Sequence, residues 1–324
     1  MRLFSLDSGH LGEKITDSLS IIPDVLEERN FEDGEHKLRP LVSVRDEDVY
    51  VVHSLYGDAT QTVNDKLCKL LFFIATVKDC GAKNVTAVVP YLCYTRKDRR
   101  TKARDPVTMR YVAMLFEAVG VDRVVTVDVH NLQAYQNAFR CKTEHIEARH
   151  LFADYFKSIF TPNDRIVVMS PDFGGLKRAE QFRERLSGVM QADIDFAFME
   201  KKRSKGVVSG ESVVGDVKGK SVIIMDDLIS TGTTMVRAAV ACDRLGAQAV
   251  YAVATHGAFV GKADEIFQEK AVKKIIVTNS MCHDRLSETL NRQKLVILDI
   301  GPMLAEVVRR LNSGGSLVSL MDID

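Results

Sequence analysis

SVIIMDDLISTGTT, residues Ser221 to Thr234, is the stretch from which the rest of the chain can be read. Ser221 to Met225 has the composition of a strand buried on both faces. Asp226 and Asp227 close it, a short loop of hydroxyls and glycine follows, and Met235 to Leu245 then carries the apolar spacing of a helix that stops before Gly246. Strand carboxyl ends in open α/β sheets line the ligand crevice. Backbone N–H groups at the following helix start suit a phosphate, and Gly232 permits close approach. The two aspartates have the chemistry to hold sugar hydroxyls or a hydrated Mg²⁺, which prefers oxygen ligands. A plainer alternative is a capped helix start in which Ser230 and Thr231 satisfy orphan amides. Paired aspartates at a strand end weaken that alternative, because carboxylates there need partners.

The same strand, turn and helix alternation runs outward in both directions. Apolar runs occupy Val49 to Val52, Val85 to Val89 and Arg123 to Val127, then Arg165 to Met169, Ala249 to Ala254, Lys274 to Thr278 and Leu295 to Leu298. Between them, Leu67, Leu70, Leu71, Ile74 and Val77 mark one helical stripe closed by Gly81. Tyr111, Val112, Leu115, Phe116 and Val119 mark another closed by Gly120, and Leu176, Ala179, Phe182 and Leu186 a third. The pattern predicts an α/β fold of mainly parallel sheets flanked by helices. A chain of 324 residues exceeds the usual span of one core, so two domains are expected. The boundary is placed near Glu144 to Glu147, giving residues 1–145 and 146–304, with the C-terminal segment from about 305 to 324 a candidate to pack back on the first domain.

Forty-four basic residues balance forty-four acidic ones, so no overall field draws the chain to nucleic acid or an anionic membrane, and any basic chemistry is local. The six cysteines form no CxxC pair and fall mostly in apolar periodic segments, so they are expected to be reduced and mostly buried. The N-terminus lacks a signal-peptide pattern, and no stretch approaches the roughly 18 uninterrupted apolar residues of a membrane span. A cytoplasmic protein is expected.

Five further segments carry chemistry. RNFEDGEHKLRP sets an aromatic beside a DG turn, which offers a stacking face and a tight bend, although a plain surface turn has the same composition. PYLCYTRKDRR follows a strand and gathers Arg96, Arg99 and Arg100 into a local positive cluster suited to polyphosphate, or to solvent. TVDVHNLQAY places Asp128 and His130 two residues apart at a strand end, where alternation points both the same way, in reach of a metal; a satisfied structural histidine is the ordinary explanation. SPDFGGLKRA joins a strand to a helix through a glycine pair, with Asp172 a metal-linked carboxylate or a helix N-cap. MEKKRSKGVVSG is basic, poor in apolar anchors and expected to be a mobile loop. THGAFVGKA, from Thr255 to Ala263, is taken as structural.

These segments resemble the PRPP synthetase (ribose-phosphate pyrophosphokinase) family. SVIIMDDLISTGTT alone resembles the PRPP-binding motif that the family shares with type I phosphoribosyltransferases. The other segments resemble the synthetases specifically, through their FxDGE, PYxxYxRQDR, DLHxxQ and SPDxGGxxRA motifs and the basic catalytic loop. The resemblance implies two type I phosphoribosyltransferase-like domains and a diphosphate transfer from Mg-ATP to the 1-hydroxyl of ribose 5-phosphate, giving PRPP and AMP. It implies ATP contacts at Phe31, Asp33, Gly34, Glu35, Arg96, Lys97 and Asp98, and Mg²⁺ contacts at His130, Asp172 and Asp128. Lys201 and Arg203 fall on the residues that stabilise the transferring phosphate. Asp226, Asp227, Ser230, Thr231, Gly232, Thr233 and Thr234 fall on the ribose 5-phosphate site. A homo-oligomer built from dimers, commonly a hexamer, is implied as well.

The sequence departs from the family pattern at Lys97, where glutamine is usual, at Lys202, where arginine is usual, and at Ser230, where many members have aspartate. The segment HSLYGDATQTVND is longer than the common pattern. Two rivals remain: a phosphoribosyltransferase, which would not need the FEDGE, DVH and SPDFGG segments together, and a non-catalytic regulatory homologue, which could dispense with the loop cations that Lys201 and Arg203 supply here.

Overall fold

Val49, Val51, Val85, Val88, Val124 and Val125 are fully or almost fully buried because each lies on a strand with packing on both sides. The computed structural model describes residues 1–7, 11–204 and 207–320, with backbone alone at 201–204, 207–211 and 319. It separates into two units, residues 1–147 with the segment from 300 onward, and residues 148–299.

The first unit runs β1 (Arg2–Ser5), α1 (Leu11–Leu19), β2 (Leu26–Asn30), β3 (His36–Pro40), β4 (Asp48–Val52), α2 (Val63–Asp79), β5 (Asn84–Val88), α3 (Thr108–Ala118), β6 (Arg123–Val127), α4 (Leu132–Ala138) and β7 (Lys142–Ile146). Its main sheet is parallel throughout, in the order β1-β4-β5-β6-β7. Strands β2 and β3 form a separate antiparallel hairpin with Phe31 to Glu35 at its tip.

The second unit runs α5 (Arg149–Ile159), β8 (Ile166–Ser170), α6 (Leu176–Met190), β9 (Asp195–Ser204), β10 (Val207–Val214), β11 (Ser221–Ile229), α7 (Thr233–Arg244), β12 (Ala249–Gly257), α8 (Ala263–Ile266), β13 (Lys274–Thr278), α9 (Glu288–Lys294) and β14 (Leu295–Leu298). The last helix, α10 (Gly301–Ser313), returns to the first unit, where it packs on α1 and the Arg309 guanidinium donates to the Ser18 carbonyl. Among the described residues no helix is long and apolar enough to cross a membrane.

The seven-stranded sheet of the second unit has the order β10-β9-β8-β11-β12-β13-β14, parallel except for β10 against β9. The chain enters at β8, moves to one side through β9 and β10, then crosses to the other side at β11. The strand order therefore reverses between β8 and β11, and at such a switch point the flanking loops part and leave a crevice. Val222 to Met225 of β11 are buried on both faces, as the valine and isoleucine composition predicts.

Three expectations need correction. Helix α3 buries Met109, Val112, Ala113 and Phe116, while Tyr111 and Leu115 are exposed. Apolar residues surround much of that helix, so periodicity selected a stripe that straddles the buried face. The cysteines are not mostly buried: Cys93 and Cys242 are, but Cys68, Cys80 and Cys282 are exposed because they lie on the outer side of α2, at its C-terminal end and in the segment after β13. The run around Lys201 is not a loop throughout. Its backbone pairs antiparallel from Lys201 to Ser204 with Val207 to Glu211, carried by the β-propensity of the valines that flank it.

The long HSLYGDATQTVND segment has an internal reason for its shape. Thr62 caps α2 and exchanges hydrogen bonds with Asp65 in a capping box. One turn on, Lys66 is buried, its ammonium 2.6 Å from the Asp58 carboxylate and 3.8 Å from the centre of the Tyr56 ring. Burial pushes the Asp58 carboxyl upward, but hydrogen bonds from Lys66, Thr60 and the Gln61 amide outweigh it and hold the group below the ordinary carboxylate range. Lys66→Met should cost about 3 kcal/mol in urea unfolding, because it leaves Asp58 buried without its cation. The wild-type advantage is full above the unfolded aspartate value and should shrink as pH falls toward the lowered native one. A loss under 1 kcal/mol would show that the pair is not needed to hold the segment.

Candidate active site

At the end of β8 the Ser170 hydroxyl donates to the Asp172 carbonyl at 2.6 Å. Oδ1 of Asp172 accepts the amides of Gly174 at 2.9 Å and Gly175 at 3.2 Å, so this aspartate caps the entry to α6. Both bonds use Oδ1. A Cβ on Gly175 would stand 2.8 Å from the Ser170 hydroxyl, so the second glycine is required by the turn itself.

Across the switch point lie Asp226 and Asp227. Asp227 is buried, whereas Asp226 keeps 22% of its side chain exposed. Oδ1 of Asp226 accepts the Asp227 amide at 2.9 Å. Arg178, on the first turn of α6, reaches back to both carboxylates: Nη1 lies 2.9 Å from Asp227 Oδ1 and 3.6 Å from Asp226 Oδ1. Burial first, and the negative charge of Asp227 second, push the Asp226 carboxyl well above the usual range, and Arg178 offsets only part of this. Arg178 stood inside the SPDFGGLKRA motif, but no sequence feature linked it to the acidic pair; the signal was a cation just inside a helix that begins at the switch point.

The Ser230 to Thr234 loop then turns into α7. Gly232 has φ +82°, and a Cβ there would come within 2.3 Å of the Phe267 ring. Ligand access is one use for a glycine here, and packing supplies a separate requirement. The N-cap of α7, Gly232, has no side chain to offer; the Thr233 amide donates a long bond to the Thr231 hydroxyl at 3.5 Å, and Thr231, Thr233 and Thr234 are exposed. The loop rests on the Thr255 to Ala263 segment, whose Ala258 and Val260 amides donate to the carbonyls of Ile229 and Ser230 at 2.9 Å each.

In the first unit, the Phe31 to Glu35 tip is closed by the Phe31 amide on the Glu35 carbonyl at 2.8 Å, the Gly34 amide on the Phe31 carbonyl at 3.1 Å, and Asp33 accepting the Glu35 amide at 3.1 Å. Phe31 is exposed, with the Arg29 guanidinium 4.9 Å from its ring centre. Arg96, Arg99 and Arg100 are exposed, and Lys97 pairs with Asp105 at 3.1 Å. Asp98 accepts from the Asn131 side chain at 2.6 Å, which brings the basic segment beside the one carrying Asp128 and His130.

Those two residues do not alternate along a strand. Strand β6 ends at Val127, Asp128 turns back with φ 40°, and it is buried while His130 is exposed. The alternation argument therefore fails for them. The side chains of Lys201 and Arg203 lie outside the described residues, as do Lys205 and Gly206 altogether. Backbone register sets Lys201 opposite Glu211 and Arg203 opposite Val208.

Among the described residues no three histidine, cysteine or acidic side chains gather as a metal-binding group. A Mg²⁺ ion fits the chemistry nonetheless. It takes one or two carboxylates and completes its shell with water and substrate phosphates, and neither cap bond of Asp172 uses Oδ2.

Residues 1–120 match the family model of the N-terminal domain of ribose phosphate pyrophosphokinase, and residues 197–322 match that of the phosphoribosyl synthetase-associated domain. The ribose-phosphate pyrophosphokinase of Caldanaerobacter subterraneus subsp. tengcongensis is 37% identical over 320 residues, 98% of this chain and 94% of that one. That of Bacillus caldolyticus is 35% identical over 324 residues, 99% of this chain and 98% of that one. The crystal structure of phosphoribosylpyrophosphate synthetase from Mycobacterium smegmatis superposes with a TM-score of 0.86 at 32% identity, covering 97% of this chain and 99% of that one.

The elevated carboxyl of Asp226 carries a stability cost with a definite sign. A native value above the unfolded one, about 4, means that the folded state binds the extra proton, so stability falls as pH rises between the two. Asp226→Asn removes that fall and retains an acceptor for the Asp227 amide. In ligand- and metal-free buffer at pH 8 it should raise the melting temperature by about 2–4 °C, with the gain vanishing near pH 4. A variant less stable than wild type at pH 8 would contradict the charge argument.

Proposed function

The chain belongs to the ribose-phosphate pyrophosphokinase family of enzymes of PRPP synthesis, and on that premise we propose that it moves the β,γ-diphosphate of Mg-ATP to the 1-hydroxyl of ribose 5-phosphate, giving PRPP and AMP. The observation that carries this reading is the acidic pair at the β8/β11 switch point, beside a helix start whose N-cap, Gly232, has no side chain. Vicinal hydroxyls suit the first feature and a sugar phosphate's anion the second.

The 1-hydroxyl attacks the β-phosphorus in line, the bond from the β-phosphorus to the α,β-bridging oxygen breaks, and AMP leaves. Such a transfer asks the protein for positioning and charge neutralisation rather than covalent help. Ser230, Thr231, Gly232, Thr233 and Thr234 grip the 5-phosphate through amides and hydroxyls. Asp226 and Asp227 accept from the ribose hydroxyls. Phe31 stacks on the base, Asp33, Gly34 and Glu35 line it, and Arg96, Lys97 and Asp98 take the rest of the nucleotide. Lys201 and Arg203 close over the diphosphate as it transfers. Asp172 in the second unit and, in the first, Asp128 and His130 would each contact Mg²⁺ directly or through water, and the ion when bound neutralises polyphosphate charge.

We place the enzyme in the cytoplasm as a homo-oligomer built from dimers, as the family resemblance implies. Net neutrality also argues against nucleic acid as a partner.

Incubating the protein with ribose 5-phosphate and Mg-ATP should release AMP and PRPP in equal amounts with no nucleobase present, and chelation of the metal should stop both. If no AMP is released, diphosphate formed from added PRPP and a nucleobase would point to a phosphoribosyltransferase, and no turnover of either mixture to a regulatory subunit. Lys201→Ala should lower turnover at least a hundredfold, equivalent to about 3 kcal/mol of barrier, while ATP still binds. Near-normal turnover in that variant would remove the basic strand from the chemistry.

A further inference from the structure

Neighbouring residues on a strand project to opposite faces, so Asp226 and Asp227 would splay apart if β11 alone set their directions. They do not act independently, because one guanidinium nitrogen of Arg178 lies 2.9 Å from Asp227 and 3.6 Å from Asp226. The Asp227 amide donates to Asp226 Oδ1 at 2.9 Å and ties the second carboxylate to the same centre. None of these three contacts uses an Oδ2. Arg178 itself is held by α6, whose inner face, Ala179, Phe182, Leu186 and Met190, is buried. Helix packing therefore fixes the backbone that carries the guanidinium, and its contacts with the two carboxylates hold the guanidinium there.

We infer that Arg178 is a positioning residue for the sugar: it draws two carboxylates on opposite strand faces toward one point, so that together they accept the vicinal 2- and 3-hydroxyls of ribose 5-phosphate. This inference rests on the assignment of Asp226 and Asp227 to the sugar. Arg178 touches neither nucleotide nor sugar in this account and acts through the aspartates. Its planar fork reaches two carboxylates from a fixed helix, which a lysine ammonium does less well. Selectivity for the 2-hydroxyl follows, because a site built to accept that hydroxyl leaves a buried polar group unpaired when a 2-deoxy sugar binds.

The test compares wild type with Arg178→Gln and Arg178→Lys, using ribose 5-phosphate and 2-deoxyribose 5-phosphate as sugars and measuring kcat and KM for sugar and for ATP. For Arg178→Gln, the KM for ribose 5-phosphate should rise on the order of 10- to 100-fold, the loss expected for hydrogen bonds to charged groups. The KM for ATP should change less than about threefold, and the preference for ribose over 2-deoxyribose should narrow about tenfold. Arg178→Lys should fall between wild type and the glutamine variant on each measure, and it carries the comparison if the glutamine variant fails to fold by circular dichroism. A rise in KM for ATP equal to that for sugar, a fall in kcat alone, or an unchanged sugar preference would each overturn the inference. Wild type that makes no PRPP would remove the sugar assignment itself, whereas active wild type with an unaltered variant would remove only the role of Arg178.

Discussion

Two adjacent aspartates on a buried strand share the Arg178 guanidinium, and burial raises the carboxyl of Asp226 in spite of it. β11 is central in its sheet, flanked by β8 and β12, with apolar packing on both faces, so it cannot move to separate the charges. Arg178 offsets part of that rise; a proton on Asp226, or a ligand that donates hydroxyls or brings a cation, relieves the rest. The chain thus holds unfavourable electrostatics in its resting fold that a suitable ligand would discharge. Functional centres commonly take this form, because groups set in place before binding need no rearrangement afterwards.

The glycines of the two loops follow a related logic. Gly175 and Gly232 both look, in sequence, like residues chosen to let a ligand approach. Each is also needed by the protein's own packing, the first by the Ser170 hydroxyl and the second by the Phe267 ring and a left-handed backbone. Amides of Ala258 and Val260 further tie down the carbonyls of Ile229 and Ser230. The helix-start loop is therefore shaped by contacts with α8 and the segment before it, and its amides are aimed whether or not a phosphate is present. Asp172 shows the same overlap, since it caps α6 through one oxygen without using the other in either bond.

What the sequence made legible divides along physical lines. Parallel sheets were readable because strands buried on both faces must be nearly continuous in apolar residues, and Val222 to Met225 shows this directly. The β2/β3 hairpin was not, because LEERN and HKLRP are polar and bury only Leu38. The β9/β10 pairing was masked by its basic residues, whose charge suggested a loop while the backbone followed the flanking valines. Asp128 and His130 misled because a strand's alternation holds only to its last paired residue, and β6 stops one position short. The motifs single out Asp172, Asp226 and Asp227 but not the contact that Arg178 makes with the acidic pair, since a bond between helix α6 and strand β11, spanning 49 positions, leaves no local trace.

The distribution of cations bears on how binding energy would be used in the proposed reaction. The Ser230 to Thr234 loop has no charged side chain, whereas Arg96, Arg99 and Arg100 and the run Lys201 to Arg203 concentrate positive charge elsewhere in a chain of zero net charge. The 5-phosphate is the same in substrate, transition state and product. Gripping it with cations would tighten all three alike and would slow product release without lowering the barrier. Amides and hydroxyls suffice to orient it. The diphosphate, by contrast, changes its bonding and charge as it passes from one oxygen to another, and there a positioned cation stabilises the transition state more than the ground state. Neutral donors on the sugar phosphate and cations on the moving phosphates are the arrangement that differential binding favours.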